Sequence, residues 1–79
     1  MEDKIRFMRA ALARARKGLA QGEVPVGAVV VCDGKIIGSG YNRRTQTQMA
    51  SSHAEMYAID RACRKCKSWR LPRCDLYVA

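Results

Sequence analysis

The sequence predicts a mixed α/β fold with the element order α-β-β-α-β, and three observations carry that prediction. Apolar residues recur at helical spacing in two separate segments. Two β-rich runs flank the dipeptide Asp33-Gly34, which is typical of a two-residue hairpin. A last apolar run, residues 74–79, follows the second helical segment. We expect this third strand to add parallel to the sheet, because a helical crossover precedes it.

The first helix is predicted over residues 2–20. Acidic Glu2 and Asp3 stand in its first turn, where the helix dipole favours them, and Gly22 is a plausible stop. Five apolar residues recur at steps of three and four and are expected to form the buried face: Ile5, Met8, Leu12, Ala15 and Leu19.

The predicted hairpin joins a strand over residues 24–32 to a returning strand over residues 35–42. Pro25 lacks a backbone donor, so it belongs at the strand entrance. Gly27 and Ala28 are small, which allows either a ligand or a packed helix to approach the backbone; the packed helix is the simpler explanation. Asn42 ends the returning strand, either as a turn residue or as an amide presented at the end of the sheet.

The second helix is predicted over residues 52–66, between a polar loop and a connector at residues 69–72. Its alanines and a cysteine recur every four residues, which permits close packing on the hairpin. This face comprises Ala54, Ala58, Ala62 and Cys66.

Length and charge limit the protein to one small basic domain. The chain has 79 residues and a net charge of +8, from 15 Lys and Arg against 7 Asp and Glu. Basic residues concentrate in the first helix and between Arg61 and Arg73. They indicate either an RNA-facing surface or two solvated helix faces. The longest apolar run, residues 28–32, is too short to span a membrane, and the charged N-terminus is unlike a signal peptide. We therefore expect a cytoplasmic protein without membrane association.

The four cysteines are expected to be reduced thiols, because no secretion signal precedes them. Cys63-x-x-Cys66 is similar to a redox motif, but it lies late in a helix, where the dipole disfavours a thiolate.

The only histidine of the chain, His53, forms a His-x-Glu pattern with Glu55. This pattern is one half of a zinc deaminase signature, whose other half, Pro-Cys-x-x-Cys, does not occur in these residues. The same stretch also fits a capping box, with Ser52 as N-cap and Glu55 at the third helical position. The pattern alone leaves both interpretations open.

Several sequence blocks in a fixed order add to this pattern: residues 23–29, 38–43, 53–56, 69–71 and 76–78, together with Ile59 and Ala62. On these blocks the chain resembles the N-terminal half of a tRNA-specific adenosine deaminase, within the cytidine-deaminase-like superfamily. The resemblance implies the αββαβ part of a three-layer cytidine-deaminase-like fold, with a sheet that is incomplete at its C-terminal edge. Residues 1–79 would be the N-terminal portion of a single domain.

The resemblance also implies roles for individual residues. His53 would be the nitrogen ligand of a zinc ion, and Glu55 the general acid/base rather than a ligand. Asn42 and the backbone of Val26 and Ala54 would contact the flipped adenine. The implied reaction is hydrolytic deamination of adenosine to inosine at the wobble position of a tRNA anticodon, and family members are commonly homodimers.

The sequence supplies one zinc ligand, while the two cysteine ligands are missing from this chain. Cys63 stands ten residues beyond His53, which is about 15 Å along a helix, so it is too distant to share a metal with His53. The family often has Glu where Thr45 stands, and Gly where Lys67 ends the second helix. We expect no deaminase activity and weak zinc binding from these 79 residues alone.

Three alternatives remain for the function. Within enzymes, the chain would be a fragment of a guanine or cytosine-nucleotide deaminase, because His-Ala-Glu is shared among these enzymes. As a binding module, it would be a basic remnant that holds RNA without chemistry. As a structural partner, it would pair through its third strand with a separate C-terminal half.

Overall fold

The predicted element order is confirmed by the computed structural model, which describes residues 2–43, 53–67 and 73–79. The predicted loop and connector fall largely on residues 44–52 and 68–72, outside the described residues. The elements are α1 (Glu2–Ala20), β1 (Gly27–Cys32), β2 (Lys35–Tyr41), α2 (Ala54–Cys66) and β3 (Cys74–Val78).

The three strands form a sheet in the order β2-β1-β3, and both outer strands run antiparallel to β1. The prediction that the third strand would add parallel is therefore wrong, because β3 runs antiparallel to β1, the strand with which it pairs. The crossover through α2 carries the chain past β1 to the other edge of the sheet. As a result β3 shares the direction of β2, and both oppose the strand between them.

The hairpin between β1 and β2 has the two-residue turn that its sequence predicts. Asp33 and Gly34 have φ values of 51° and 76°, the left-handed conformation that such a turn requires at both positions. The register then shifts by one residue, because Val31 pairs with Ile36 whereas Val30 pairs with Gly38. The residue between them, Ile37, is a β-bulge and packs against the cluster beneath α2.

Helix α2 lies against one face of the sheet through the small residues that the sequence placed on one side. Its alanines are fully buried against Ala28 and Val30 of β1. Gly40 of β2 makes this approach possible, because a Cβ there would lie 2.5 Å from the Tyr57 Cβ. The buried alanines are Ala54, Ala58 and Ala62.

Helix α1 covers the other face of the sheet, which completes three layers, but its buried side is not the predicted one. The buried residues are Phe7, Ala11, Ala15 and Gly18, and of the predicted face only Ala15 is buried. The other four predicted residues, Ile5, Met8, Leu12 and Leu19, are 40–58% exposed.

The small side of α1 is buried because the sheet approaches it closely. A Cβ on Gly27 would lie only 2.1 Å from the Ala11 carbonyl oxygen, which leaves no room for a leucine between them. The displaced larger residues form a second apolar stripe that faces outward. This stripe borders a groove that reaches the end of β3 and is lined by Lys4, Ile5, Met8, Arg9, Leu12 and Ala79. Within the described residues, neither helix has the length and apolar composition of a membrane span.

Candidate active site

His53 stands immediately before α2 and marks its start. It has an extended backbone, with φ −89° and ψ 151°, and occupies the N-cap position. Its carbonyl accepts the N–H groups of Met56 at 3.1 Å and Tyr57 at 3.3 Å. Its side chain makes no capping hydrogen bond and is 45% exposed. The imidazole is therefore available to a ligand while the backbone holds it at the mouth of the helix.

Glu55 lies in the first turn of α2, and the environment of its carboxylate is notable. Its Oε1 is buried and, among the residues that the structure describes, has no hydrogen-bond partner. The His53 Nδ1 lies 4.0 Å from Oε1, too far for a hydrogen bond. A desolvated carboxylate oxygen costs stability unless something pairs with it, so this atom points to a ligand at the site.

The capping-box interpretation does not describe this helix. With His53 at the N-cap, Glu55 is the second helical residue rather than the third. The N-terminal N–H of Ala54 is instead satisfied from another element, because the Asn42 Oδ1 accepts it at 2.8 Å. Ser52 lies outside the described residues.

Asn42 links β2 to α2 and is buried. In addition to its bond to Ala54, its backbone N–H donates to the Val26 carbonyl at 3.1 Å. It is thus held at both ends, by the strand entrance and by the helix start. It follows the last residue of β2, and its side-chain oxygen reaches the first residue of α2.

Three of the five predicted site residues are joined by hydrogen bonds, and the other two are chain neighbours of the third. Val26 meets Asn42, Asn42 meets Ala54, and Ala54 stands between His53 and Glu55 in the chain. The backbone of Val26 and Ala54 was predicted to contact the adenine, and the N–H groups of both residues are engaged within the protein. The N–H of Val26 donates to the Val24 carbonyl at 2.8 Å, and the N–H of Ala54 donates to Asn42.

Arg43 is a residue near the site that the sequence did not single out. Its guanidinium carbon lies 5.5 Å from the ring centroid of Tyr41 and 5.6 Å from that of Tyr57. Arg61 approaches Tyr57 from the other end at 5.9 Å. These cation–π contacts hold two positive charges beside the Tyr57 ring, and Arg43 is also the chain neighbour of Asn42. The available signal was its adjacency to Asn42 in a basic chain, which is too common to be specific.

The described residues do not form a complete metal site. They contain no group of three His, Cys, Asp or Glu side chains arranged to hold a metal ion. Cys63 and Cys66 are at the far end of α2, and Cys32 and Cys74 are at the end of the sheet where β1 finishes and β3 begins. A partly exposed imidazole beside an unpartnered carboxylate fits one corner of a zinc site, with the other donors supplied from elsewhere.

The three-layer arrangement, with a His-x-Glu pair at the mouth of a helix, defines a zinc-dependent deaminase type of protein. The chain belongs to the family described as the cytidine and deoxycytidylate deaminase zinc-binding region, which matches residues 1–79.

Among known proteins, the chain is 44% identical over 72 residues to a tRNA-specific adenosine deaminase of Bacillus subtilis, covering 91% of this chain and 45% of that protein. It is 49% identical over 72 residues to a chloroplastic tRNA(adenine(34)) deaminase of Arabidopsis thaliana, covering 91% of this chain and 6% of that protein. The chain spans about half the length of the bacterial relatives that it matches.

Two solved structures have the same fold. One comes from a study of A-to-I editing by tRNA:A34 deaminases at the wobble position of transfer RNA, with a TM-score of 0.90 and 41% identity over 95% of this chain and 54% of that one. The other is a guanine deaminase of Bacillus subtilis, with a TM-score of 0.85 and 38% identity over 91% of this chain and 46% of that one. The predicted three-layer deaminase fold is thereby confirmed.

Proposed function

We propose that these residues form the N-terminal half of a deaminase active site that converts adenosine to inosine at the wobble position of a tRNA anticodon. The observation that carries the proposal is the buried, unpartnered Glu55 Oε1 beside His53 at the start of α2. The similarity to tRNA-specific adenosine deaminases over nearly the whole chain supports the choice of substrate.

Glu55 is assigned the proton transfers. Hydrolytic deamination adds water at C6 of adenine, protonates the ring and releases ammonia. A carboxylate at the helix start accepts the proton of the water, delivers it to the ring nitrogen, and carries the next proton to the leaving amine. The positive end of the helix dipole favours an anion here, which suits a group that begins the reaction as a carboxylate.

His53 is assigned the role of nitrogen ligand to zinc, with thiolate ligands from outside these residues. The chemistry that zinc supplies when bound is activation of the water, by lowering its pKa to about 7. The His53 Nδ1 lies 4.0 Å from the Glu55 Oε1 at the start of α2, so the imidazole and the carboxylate are close enough to serve one reaction centre.

We assign to Asn42 the role of orienting the adenine base. Because Oδ1 is bonded to the Ala54 N–H, the amide cannot flip, and its Nδ2 is left as a donor of fixed direction. A ring nitrogen of a purine is a matching acceptor. The bond that starts the helix therefore also sets the side of the amide that meets the substrate.

An RNA partner is favoured by the charges around the site. Arg43 and Arg61 lie near it, and exposed Arg64, Lys65 and Lys67 continue along α2. Such cations contact phosphates, so binding should weaken steeply as salt concentration rises.

The test compares the 79-residue chain alone with the same chain supplemented by a fragment that bears Pro-Cys-x-x-Cys. The 79-residue chain with stoichiometric zinc is incubated with an anticodon stem-loop that carries adenosine at the wobble position, and inosine is measured by mass spectrometry of the digested RNA. No inosine is expected from the chain alone. Addition of a C-terminal fragment that bears Pro-Cys-x-x-Cys should restore zinc binding and activity, and Glu55→Gln should abolish activity while it preserves both zinc and RNA binding.

Two results would overturn the proposal: inosine formation by the chain alone, or a reconstituted pair that binds zinc and RNA without deaminating the stem-loop. A second candidate, deamination of free guanine, is favoured by the similarity to the guanine deaminase structure. The reconstituted pair is therefore also assayed on guanine, adenine and cytidine. Activity on guanine without activity on the stem-loop would select this second candidate.

A further inference from the structure

Two cysteines lie directly opposite each other at the end of the sheet away from the site. Cys32, the last residue of β1, pairs with Cys74, the first residue of β3. Both side chains are half-buried, and Cys74 packs against the cluster between the sheet and α2. The deaminase site described above uses neither thiol.

The register places this pair at the closer of the two kinds of antiparallel position. Gly27 and Ala79, at the other end of the same ladder, exchange both backbone hydrogen bonds at 2.9 Å. Hydrogen-bonded and non-hydrogen-bonded pairs alternate along an antiparallel ladder. Stepwise counting from this pair along the regular register gives Cys32–Cys74 a non-hydrogen-bonded position. Cα atoms at such positions are about 4.5 Å apart, within the range that a disulfide requires.

The two thiols also interact with each other. Partial burial, then a hydrogen bond and the charge of Cys32, raise the pKa of Cys74 from 9.0 to about 11. The Cys32 Sγ in turn lies 3.9 Å from the Asp33 Oδ2. Cys66 is near enough to add its charge to the same group. Because directly paired residues of neighbouring strands point to the same face of the sheet, the two side chains lie on one side of it.

We propose that Cys32 and Cys74 form a site of reversible oxidation, at which a cross-strand disulfide closes in exchange with a small disulfide of the glutathione type. The Cys32 thiolate attacks oxidised glutathione, forms a mixed disulfide and releases one glutathione thiolate. The Cys74 thiol then loses its proton to solvent, attacks the Cys32 sulfur and releases the second glutathione. Two protein thiols are oxidised, one disulfide is reduced to two thiols, and the exchange conserves electrons and protons.

The bond is expected to be easily reversed. Directly opposite Cβ atoms in a sheet are about 4.5–5.5 Å apart, whereas a relaxed disulfide prefers about 3.5–4.5 Å. Closure therefore strains the strands slightly, and strained disulfides are reduced more readily. Once closed, the bond ties the edge strand β3 to β1 at one end, while the Gly27–Ala79 hydrogen bonds hold the other end.

The test is disulfide mapping of the 79-residue chain after equilibration with oxidised and reduced glutathione at a series of ratios. The expected product is a peptide pair joined through Cys32 and Cys74, lighter by two hydrogens, and fully reversed by dithiothreitol. The melting temperature of the oxidised chain should rise by at least about 10 °C, because the bond closes a long loop of the unfolded chain. Cys32→Ser should remove both effects, and Cys63→Ser is the matched control that should keep both.

The mapping on the unsubstituted chain needs no variant to fold, so the proposal stays testable if Cys32→Ser is unstable. A dominant Cys66–Cys74 bond, glutathione retained on Cys32 without ring closure, or a melting temperature unchanged by a confirmed Cys32–Cys74 bond would each overturn it. These readouts are independent of deaminase activity.

Discussion

The side-chain oxygen of Asn42 accepts a hydrogen bond from the backbone N–H of Ala54 at 2.8 Å, and so joins the end of β2 to the start of α2. An N-cap side chain commonly accepts a hydrogen bond from the second or third N–H of its helix, but His53 occupies the N-cap position without such a bond, and Asn42 satisfies the first N–H from another element. The helix start is therefore built by the sheet, and His53 keeps its imidazole for the site.

Replacement of Asn42 tests this division of roles. Asn42→Ala removes the acceptor from a buried N–H and should lower the free energy of unfolding by about 1–3 kcal/mol. Asn42→Asp keeps the acceptor, so it should recover most of this loss while it removes the amide donor proposed for the base. Urea denaturation of the two variants provides the measurement. Equal destabilisation by Ala and Asp would contradict the assigned bond.

The second prediction concerns the close contact at Gly40. Gly40→Ala places a methyl group 2.5 Å from the Tyr57 Cβ and 2.8 Å from the Ala54 carbonyl oxygen. The helix must move away from the sheet, and overpacking of this kind typically costs about 1–3 kcal/mol. Thermal unfolding should show a clearly lowered melting temperature. Gly34→Asn is the control, because its Cβ has open space and Asn tolerates a positive φ.

The third prediction tests which side of α1 is buried. Leu12→Lys lies on the outward stripe and should change the free energy of unfolding by less than about 1 kcal/mol. Ala11→Lys puts a charge beneath the helix and should cost at least about 3 kcal/mol, which is enough to unfold a small domain. Circular dichroism at increasing urea concentration compares the two. A larger loss of unfolding free energy from Leu12→Lys than from Ala11→Lys would contradict the structure and support the buried face that the periodicity predicted.

The fourth prediction follows from the raised pKa of Cys74. Its folded-state pKa of about 11 lies above the ordinary 9.0, so the folded chain holds this proton when the unfolded chain has lost it. This contribution to stability is fully present below pH 9.0 and is lost as the pH rises through about 11. The free energy of unfolding, measured in reductant, should therefore fall more steeply over this window for the unsubstituted chain than for Cys74→Ser. Parallel pH profiles for the two would contradict the assignment.

Features set by neighbouring residues could be predicted from the sequence. Asp33-Gly34 predicted the hairpin because both residues tolerate a positive φ, and the spacing of His53 and Glu55 predicted that the two side chains would lie close together at the start of a helix. The buried side of α1 could not be chosen this way. The helix has two apolar stripes, and the choice between them depends on Gly27, a distant residue whose lack of a side chain admits only the small stripe.

Contacts between residues far apart in the sequence could not be predicted either. Nothing local in Asn42 indicates that its amide will start a helix on the far side of a loop. Likewise, the helical crossover predicts the direction of β3 relative to β2, but the strand between them is its actual partner.

The bulge at Ile37 determines which face of the sheet each later residue of β2 occupies. If the pairing counted evenly from the turn, Gly40 would stand opposite Gly27 and turn toward α1. With the bulge it stands opposite Ala28, beneath α2, and Asn42, two residues on, shares that side. Loss of one residue there would turn the amide away from α2 without altering any group of the proposed site, so the alignment of these groups depends on an irregularity in the backbone upstream.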